Sequence, residues 1–122
     1  MKIIKYNAFY LSCALALTVV LFFIGGQAGA GSVFEGVRHW IAHIVTYAVI
    51  AASYARGLPG VRGLLIGGLV AAMGGLHEVY EISSHGHDFE FDDFLVNSLA
   101  SFGGSALSRY ASNCSKAWLS RS

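Results

Sequence analysis

From Phe9 to Ile24 the chain runs without a charged residue, and three further apolar stretches follow, Trp40 to Tyr54, Leu64 to Leu76 and Phe94 to Leu107. Hydrocarbon offers no water to bond backbone amides, so only helices or closed barrels cross a bilayer, and a spanning helix needs about 20 residues. The first stretch fills that role unaided. The second and third reach spanning length when their His- and Glu-bearing ends are counted, whereas the fourth is diluted by Asn97, Ser98, Ser101, Gly103 and Gly104. Helices of that kind need neighbours. With 122 residues, 55% of them hydrophobic and only 12% charged, there are too few polar residues to clothe a soluble globule. The reading is all-α, a polytopic membrane protein: a single domain over 1–122 forming a bundle of four transmembrane helices. These are expected at about 7–26, 38–55, 62–82 and 93–110, with a cytoplasmic tail over about 111–122.

The charges orient the bundle. Lys2, Lys5, Arg56, Arg62, Arg109, Lys116 and Arg121 lie at the N-terminus, in the second connection and at the C-terminus, while Glu35, Glu78, Glu81, Asp88, Glu90, Asp92 and Asp93 lie in or beside the other two connections. Arg38 is the one exception. By the positive-inside rule both ends are cytoplasmic, N-in and C-in, as in the cytoplasmic (inner) membrane of a bacterium. All five histidines, His39, His43, His77, His85 and His87, then fall on the outer side. A competing reading takes Lys2, Lys5 and Gln27-Ala28-Gly29-Ala30 as the flanks of a cleaved signal peptide. The apolar run is long for one, and cleavage would leave three spans in the same orientation. Net charge near zero gives no basic patch for nucleic acid. Cys13 and Cys114 have no metal-type spacing and sit at different depths, which argues against a disulfide.

Lipid gives apolar faces no reason to prefer one another, so small residues that admit close backbone approach must hold such helices together. Gly63, Gly67, Ala71 and Gly75 recur every four residues on the third segment, and Ala100 and Gly104 offer a groove on the fourth. Trp40, Tyr54 and Tyr110 sit near segment ends, as interfacial aromatics do.

Against this apolar background three segments carry polar stripes: His39, His43 and Tyr47; then His77, Glu78 and Glu81; then Asp93, Asn97 and Ser101. Ionisable groups at membrane depth are costly unless paired or hydrated, so the stripes are expected to face inward and meet. The candidate pocket is His43, Tyr47, His77, Glu78, Glu81, Asp93 and Asn97. Two roles are open to it, a register lock made of mutual hydrogen bonds or a functional site. A zinc-type divalent metal is the candidate cofactor, with His43, His77 and Glu81 as ligands and Glu78 as general base for a bound water. His77-Glu78-x-x-Glu81 supplies only the first half of the H-E-x-x-H zinc signature. His85-Gly86-His87 with Asp88 is a second, more solvated cation candidate.

The elements His43-Ile-Val-Thr-Tyr47, Gly75-Leu-His77-Glu78-Val-Tyr-Glu81, Gly86-His87 and Asp93-Phe-Leu-Val-Asn97 resemble the VanZ-like family of small integral membrane proteins over about Glu35 to Leu107. That family's pattern reads H-F-x-x-Y, then D-E-x-x-Q, a short loop with G-R, and D-x-x-x-N or D-x-x-x-D before a Gly-rich helix. The matching positions are His43, Tyr47, Glu78, Gly86, Asp93 and Asn97. The chain departs with His77 for Asp, Glu81 for Gln, His87 for Arg and Trp40 for Lys, which weakens anion binding and favours metal or proton chemistry. The resemblance implies a cell-envelope role, since the family takes its name from a protein associated with low-level teicoplanin resistance. Three functions are therefore expected to compete. The first is a non-enzymatic protein whose outward pocket binds a lipid or glycan head group, linked to antibiotic tolerance. The second is a membrane-embedded, metal-dependent hydrolase or transferase acting on a lipid-linked substrate. The third is an accessory subunit of a larger membrane complex, or a self-associating protein.

Overall fold

The computed structural model describes residues 6–27, 29, 36–86 and 88–121 and contains, among these, four helices and no strand. They are α1 (Ala8–Gly25), α2 (Val37–Gly57), α3 (Gly63–His85) and α4 (Phe91–Leu119). Lys2, Lys5, Ala28, Ala30, Glu35, His87 and the side chain of His85 lie outside the described residues. The helices agree in number and order with the expected four. The largest difference is that α4 continues as helix through the segment expected as a tail, ending at Leu119. Nothing between Leu107 and Leu119 stops it: Ser112, Asn113 and Ser115 are tolerable helix residues, and neither Pro nor Gly interrupts them.

Each connection has a local cause. Gly86 ends α3 in the left-handed conformation, φ 71°, with its N–H on the Ile82 carbonyl at 2.8 Å. Pro59 forbids continuation of α2 into α3, and the turn closes with the Val61 N–H on the Leu58 carbonyl at 3.0 Å. Arg109 of α4 then clamps that turn from outside, donating to the carbonyls of Leu58 (2.8 Å), Pro59 (3.1 Å) and Val61. At the same end Arg56 Nε donates to Ser108 Oγ at 3.2 Å, and the Ser108 hydroxyl donates to the Ala52 carbonyl at 3.1 Å. The N-terminus joins there too, through the Asn7 N–H on the Gly57 carbonyl at 2.8 Å.

The bundle buries polar groups and exposes apolar ones. Glu78 is 1% exposed and Asn97 fully buried, yet Leu64 and Leu107 are 77% and 70% exposed. A water-soluble domain shows the opposite distribution. Two helices, Ala8–Gly25 and Gly63–Ser84, are long and apolar enough to cross a membrane, with only 11% and 39% of those stretches buried inside the bundle. Their apolar surface therefore faces outward.

The core is built from α2, α3 and α4: Tyr47, Ile50, Ala51, Ala55, Ile66, Val70 and Ala100. The small-residue stripe of α3 faces α4. A Cβ at Gly63 would meet Arg109 Cγ at 3.2 Å, one at Gly67 would meet Phe102 Cα at 3.1 Å, and one at Gly75 would meet Phe94 at 3.2 Å. Gly104 brings α4 closer still to α2, since a Cβ there would lie 2.7 Å from Ala48 Cα. Helix α1 is peripheral and leans on α2. Its Thr18 hydroxyl, which also donates to the Ala14 carbonyl, lies 3.3 Å from Tyr54 OH. That contact turns Tyr54 inward, whereas Tyr110 and Trp40 are exposed as expected of interfacial aromatics.

Adjacent glycines give a matched test. At Gly103 an added Cβ meets nothing within 4 Å, so Gly103→Ala is expected to raise stability by up to about 1 kcal/mol through helix propensity. Gly104→Ala forces α2 and α4 apart and is expected to cost roughly 1–3 kcal/mol. Thermal unfolding of both variants in mild detergent checks the contrast; equal midpoints would refute the close approach at Gly104.

Candidate functional site

Helical spacing places the polar residues of α2 on the face that meets α4. His39 and His43 are one turn apart, with ring centroids at 4.4 Å, and His43 stacks on Tyr47 at 6.2 Å. Opposite them Asp93 and Asn97 are also one turn apart. His39 Nε2 lies 2.5 Å from Asp93 Oδ2, His43 Nε2 lies 3.7 Å from the same oxygen, and His43 Nδ1 lies 2.8 Å from Asn97 Oδ1. Asp93 is only 4% exposed. A carboxylate there is tolerable because two imidazoles face it, and hydrogen bonds to a charged acceptor contribute about 1.5–3 kcal/mol.

Helix α3 brings a second group. His77, Glu78 and Glu81 offer ligand atoms that all lie within 4.8 Å of one another, with His77 Nδ1 at 3.7 Å from Glu81 Oε2. Helix α1 completes the surroundings. The Leu21 carbonyl receives His77 Nε2 at 3.3 Å, and Phe22 packs edge-on against the imidazole at 5.1 Å. Gly25 is what lets α1 come so near: a Cβ there would collide with His77 and lie 3.1 Å from Glu81 Oε1. A similar approach joins the two groups, since a Cβ at Gly74, one turn before Glu78, would lie 3.1 Å from Tyr47 Cε1 and 3.3 Å from Asn97 Cβ.

The halves differ in how well they are satisfied. The α2–α4 group bonds within itself. Five buried atoms nevertheless have no hydrogen-bond partner: His77 Nδ1 and both carboxylate oxygens of Glu78 on α3, with Tyr47 OH of α2 and Asn97 Nδ2 of α4. The Glu90 backbone faces Glu78 without reaching hydrogen-bond geometry. Each unpaired buried group costs roughly 1–3 kcal/mol, more when charged. Five such atoms are too expensive for a register lock, which would gain more from apolar side chains.

All seven expected residues thus lie at one end of the bundle, but not as one set. His43 and Asp93 belong with His39, which the expected pocket omits although it precedes His43 by one turn on the same face. His77 and Glu81 belong with Glu78. The two metal-capable groups among the described residues are therefore His39, His43 and Asp93, and His77, Glu78 and Glu81, so the structure puts Glu78 among the ligands and His43 in the other group. The inward stripe of α4 continues past the expected Ser101, through Ser105 and Ser108. Their hydroxyls donate to backbone carbonyls of Asn97, Phe102 and Ala52. The contribution of α1 has one sequence signal, the Gly25-Gly26 pair. A separate groove of about 580 Å³ between α2 and α4, lined by Val49, Ala52, Arg56, Gly104, Leu107 and Ser108, opens in the other half and holds none of the seven expected pocket residues.

The division yields a test of the α2–α4 group. A double-mutant cycle on His39→Ala and Asp93→Ala, read by unfolding in detergent, is expected to give a coupling of about 1.5–3 kcal/mol; additivity of the two changes would remove the clasp.

Comparison with protein-family models, with curated proteins and with solved structures finds no match to this chain.

Proposed function

We propose that this chain is a multi-pass membrane protein of four spanning helices, N-in and C-in, whose outward-facing polar pocket binds the head group of a lipid or lipid-linked glycan in a bacterial cytoplasmic membrane. The observation that carries the reading is the set of unpaired, buried donors and acceptors on Tyr47, His77, Glu78 and Asn97. A head group rich in hydroxyls or amines presents the complementary partners, and it arrives in the membrane plane at the depth of this cluster. The apolar exterior supports the membrane setting for all four helices: Ile41, Val45 and Val49 of α2, and Leu95, Leu99 and Leu107 of α4, are exposed beside the apolar faces of α1 and α3. The charge distribution supports the orientation.

A non-enzymatic envelope role, with an effect on tolerance of cell-wall antibiotics, agrees with the VanZ-like resemblance of His43, Tyr47, Glu78, Gly86, Asp93 and Asn97. A hydrolase or transferase working through a side-chain nucleophile would need a hydroxyl or thiol beside a base. The buried hydroxyls of Ser101, Ser105 and Ser108 are engaged with helix carbonyls instead.

The orientation is checked by impermeant maleimide on intact cells, in a Cys13→Ser background. Asp88→Cys is expected to label directly, and native Cys114 only after permeabilisation. Reversed labelling would refute the topology. The pocket is checked by native mass spectrometry of protein extracted gently from its own membranes. A co-purifying lipid or glycan species is expected on the wild type, with Tyr47→Phe and Asn97→Ala each weakening retention about tenfold, equivalent to about 1.4 kcal/mol per lost contact. Absence of any such species, or equal retention in the variants, would refute it.

A further inference from the structure

Two clusters at the same end of the bundle could take a cation, and they differ in what they leave unsatisfied. In the α2–α4 group the shared carboxylate and both imidazoles already have partners, so an ion there would have to break existing bonds. In the α3 group His77 Nδ1 and both oxygens of Glu78 lack hydrogen-bond partners, and Glu81 stands beside them. Glu78 is 1% exposed and both its oxygens are unpaired. His77 is 2% exposed. Its Nε2 faces the Leu21 carbonyl, which can only accept, so in the neutral ring Nε2 carries the proton and Nδ1 presents a lone pair. That Nδ1 is unpaired too, and it points toward Glu81.

This is how metal-binding imidazoles are commonly held. One nitrogen donates to a backbone carbonyl or carboxylate, which fixes the tautomer and the ring, and the other ligates. The separations fit: ligands at about 2.0–2.2 Å from a zinc ion are at most about 4.4 Å apart. The 3.7 Å between His77 Nδ1 and Glu81 Oε2 lies inside that limit, and the 4.8 Å span of the whole group needs only a small side-chain movement. Charge points the same way. Two carboxylates one turn apart in an apolar surrounding are costly without a counter-charge, and a divalent cation neutralises both.

We propose that His77 Nδ1, Glu78 and Glu81 hold a divalent cation of the zinc type, leaving a coordination position for an oxygen of the bound head group. This rests on the head-group reading and deepens it. Glu78, Glu81 and Asp93 would repel a phosphate, and the cation is what admits an anionic, phosphate-bearing head group to an acidic pocket. Asn97 Nδ2 and Tyr47 OH then serve as donors to that group.

The test uses the full chain in mild detergent, stripped with chelator, reloaded with zinc and counted by elemental analysis, beside a titration with cobalt(II) followed by its visible absorption. The wild type is expected to retain about one zinc ion per chain and to show cobalt bands that zinc abolishes. Glu78→Gln and Glu81→Gln are expected to lose both signals, while His39→Gln keeps them. Glu81 is a fifth exposed on its side chain, so its variant reports on the site should Glu78→Gln fail to assemble. No zinc on the wild type, or zinc that survives Glu81→Gln and is lost in His39→Gln, would overturn the proposal. Head-group retention measured on the same samples separates the two readings. Retention without zinc removes the ion and leaves the pocket, whereas zinc without retention removes the pocket and leaves the ion.

Discussion

Everything at the polar end of this bundle depends on one carboxylate. Asp93, buried in the first turn of α4, is faced by His39 and His43 of α2, and that contact fixes how the two helices with the most extensive interface are rotated about their axes. With the rotation fixed, Asn97 is brought to His43 and Tyr47, and the small-residue faces meet below. In the membrane setting proposed above, apolar contact would not set it, because such contact is almost as favourable between helix and lipid as between helix and helix. A polar bond made at one angle and lost at others supplies the discrimination that hydrophobic packing supplies in water.

Helix α3 sits differently. It docks on α4 through glycines that let it approach but do not bond, and its Glu78 carboxylate reaches the centre without a hydrogen-bond partner. The two halves therefore differ: His39, His43 and Asp93 hold α2 to α4, and α3 brings a buried carboxylate without hydrogen bonds up to Tyr47 and Asn97. Helix α1 closes the far side by putting a backbone carbonyl on His77 and a glycine where any side chain would displace it. A peripheral helix thereby acquires a role in orienting one imidazole.

The four helices were legible because their boundaries rest on strong local signals: an uncharged apolar run, Pro59 in one connection, Gly86 in another. The convergence of seven polar residues was legible from helical spacing plus the cost of leaving them in an apolar setting. Their division into two groups was not. Which of His43 and Glu78 stands with His77 depends on rotation angles and interhelical distances set by Gly25, Gly74 and Gly104, and spacing along one helix carries no information about its neighbour. The length of α4 was missed for another reason, since a polar composition after Leu107 says where the membrane would end but not where the helix does. The inward turn of Tyr54 depended on Thr18, a residue 36 positions away.

The clamp made by Arg109 carries a consequence for biosynthesis. Its guanidinium reaches back 51 residues to the Leu58 carbonyl, so the turn joining α2 and α3 is held by a helix synthesised well after it. Until then the carbonyls of Leu58, Pro59 and Val61 have only water, and the earlier helices are hairpins without a fastener. A chain truncated before α4 lacks both the clamp at one end and Asp93 at the other. Such a product would display loose, polar-faced helices to proteases, so that completion of α4 acts as the checkpoint separating an assembled molecule from a degradable one.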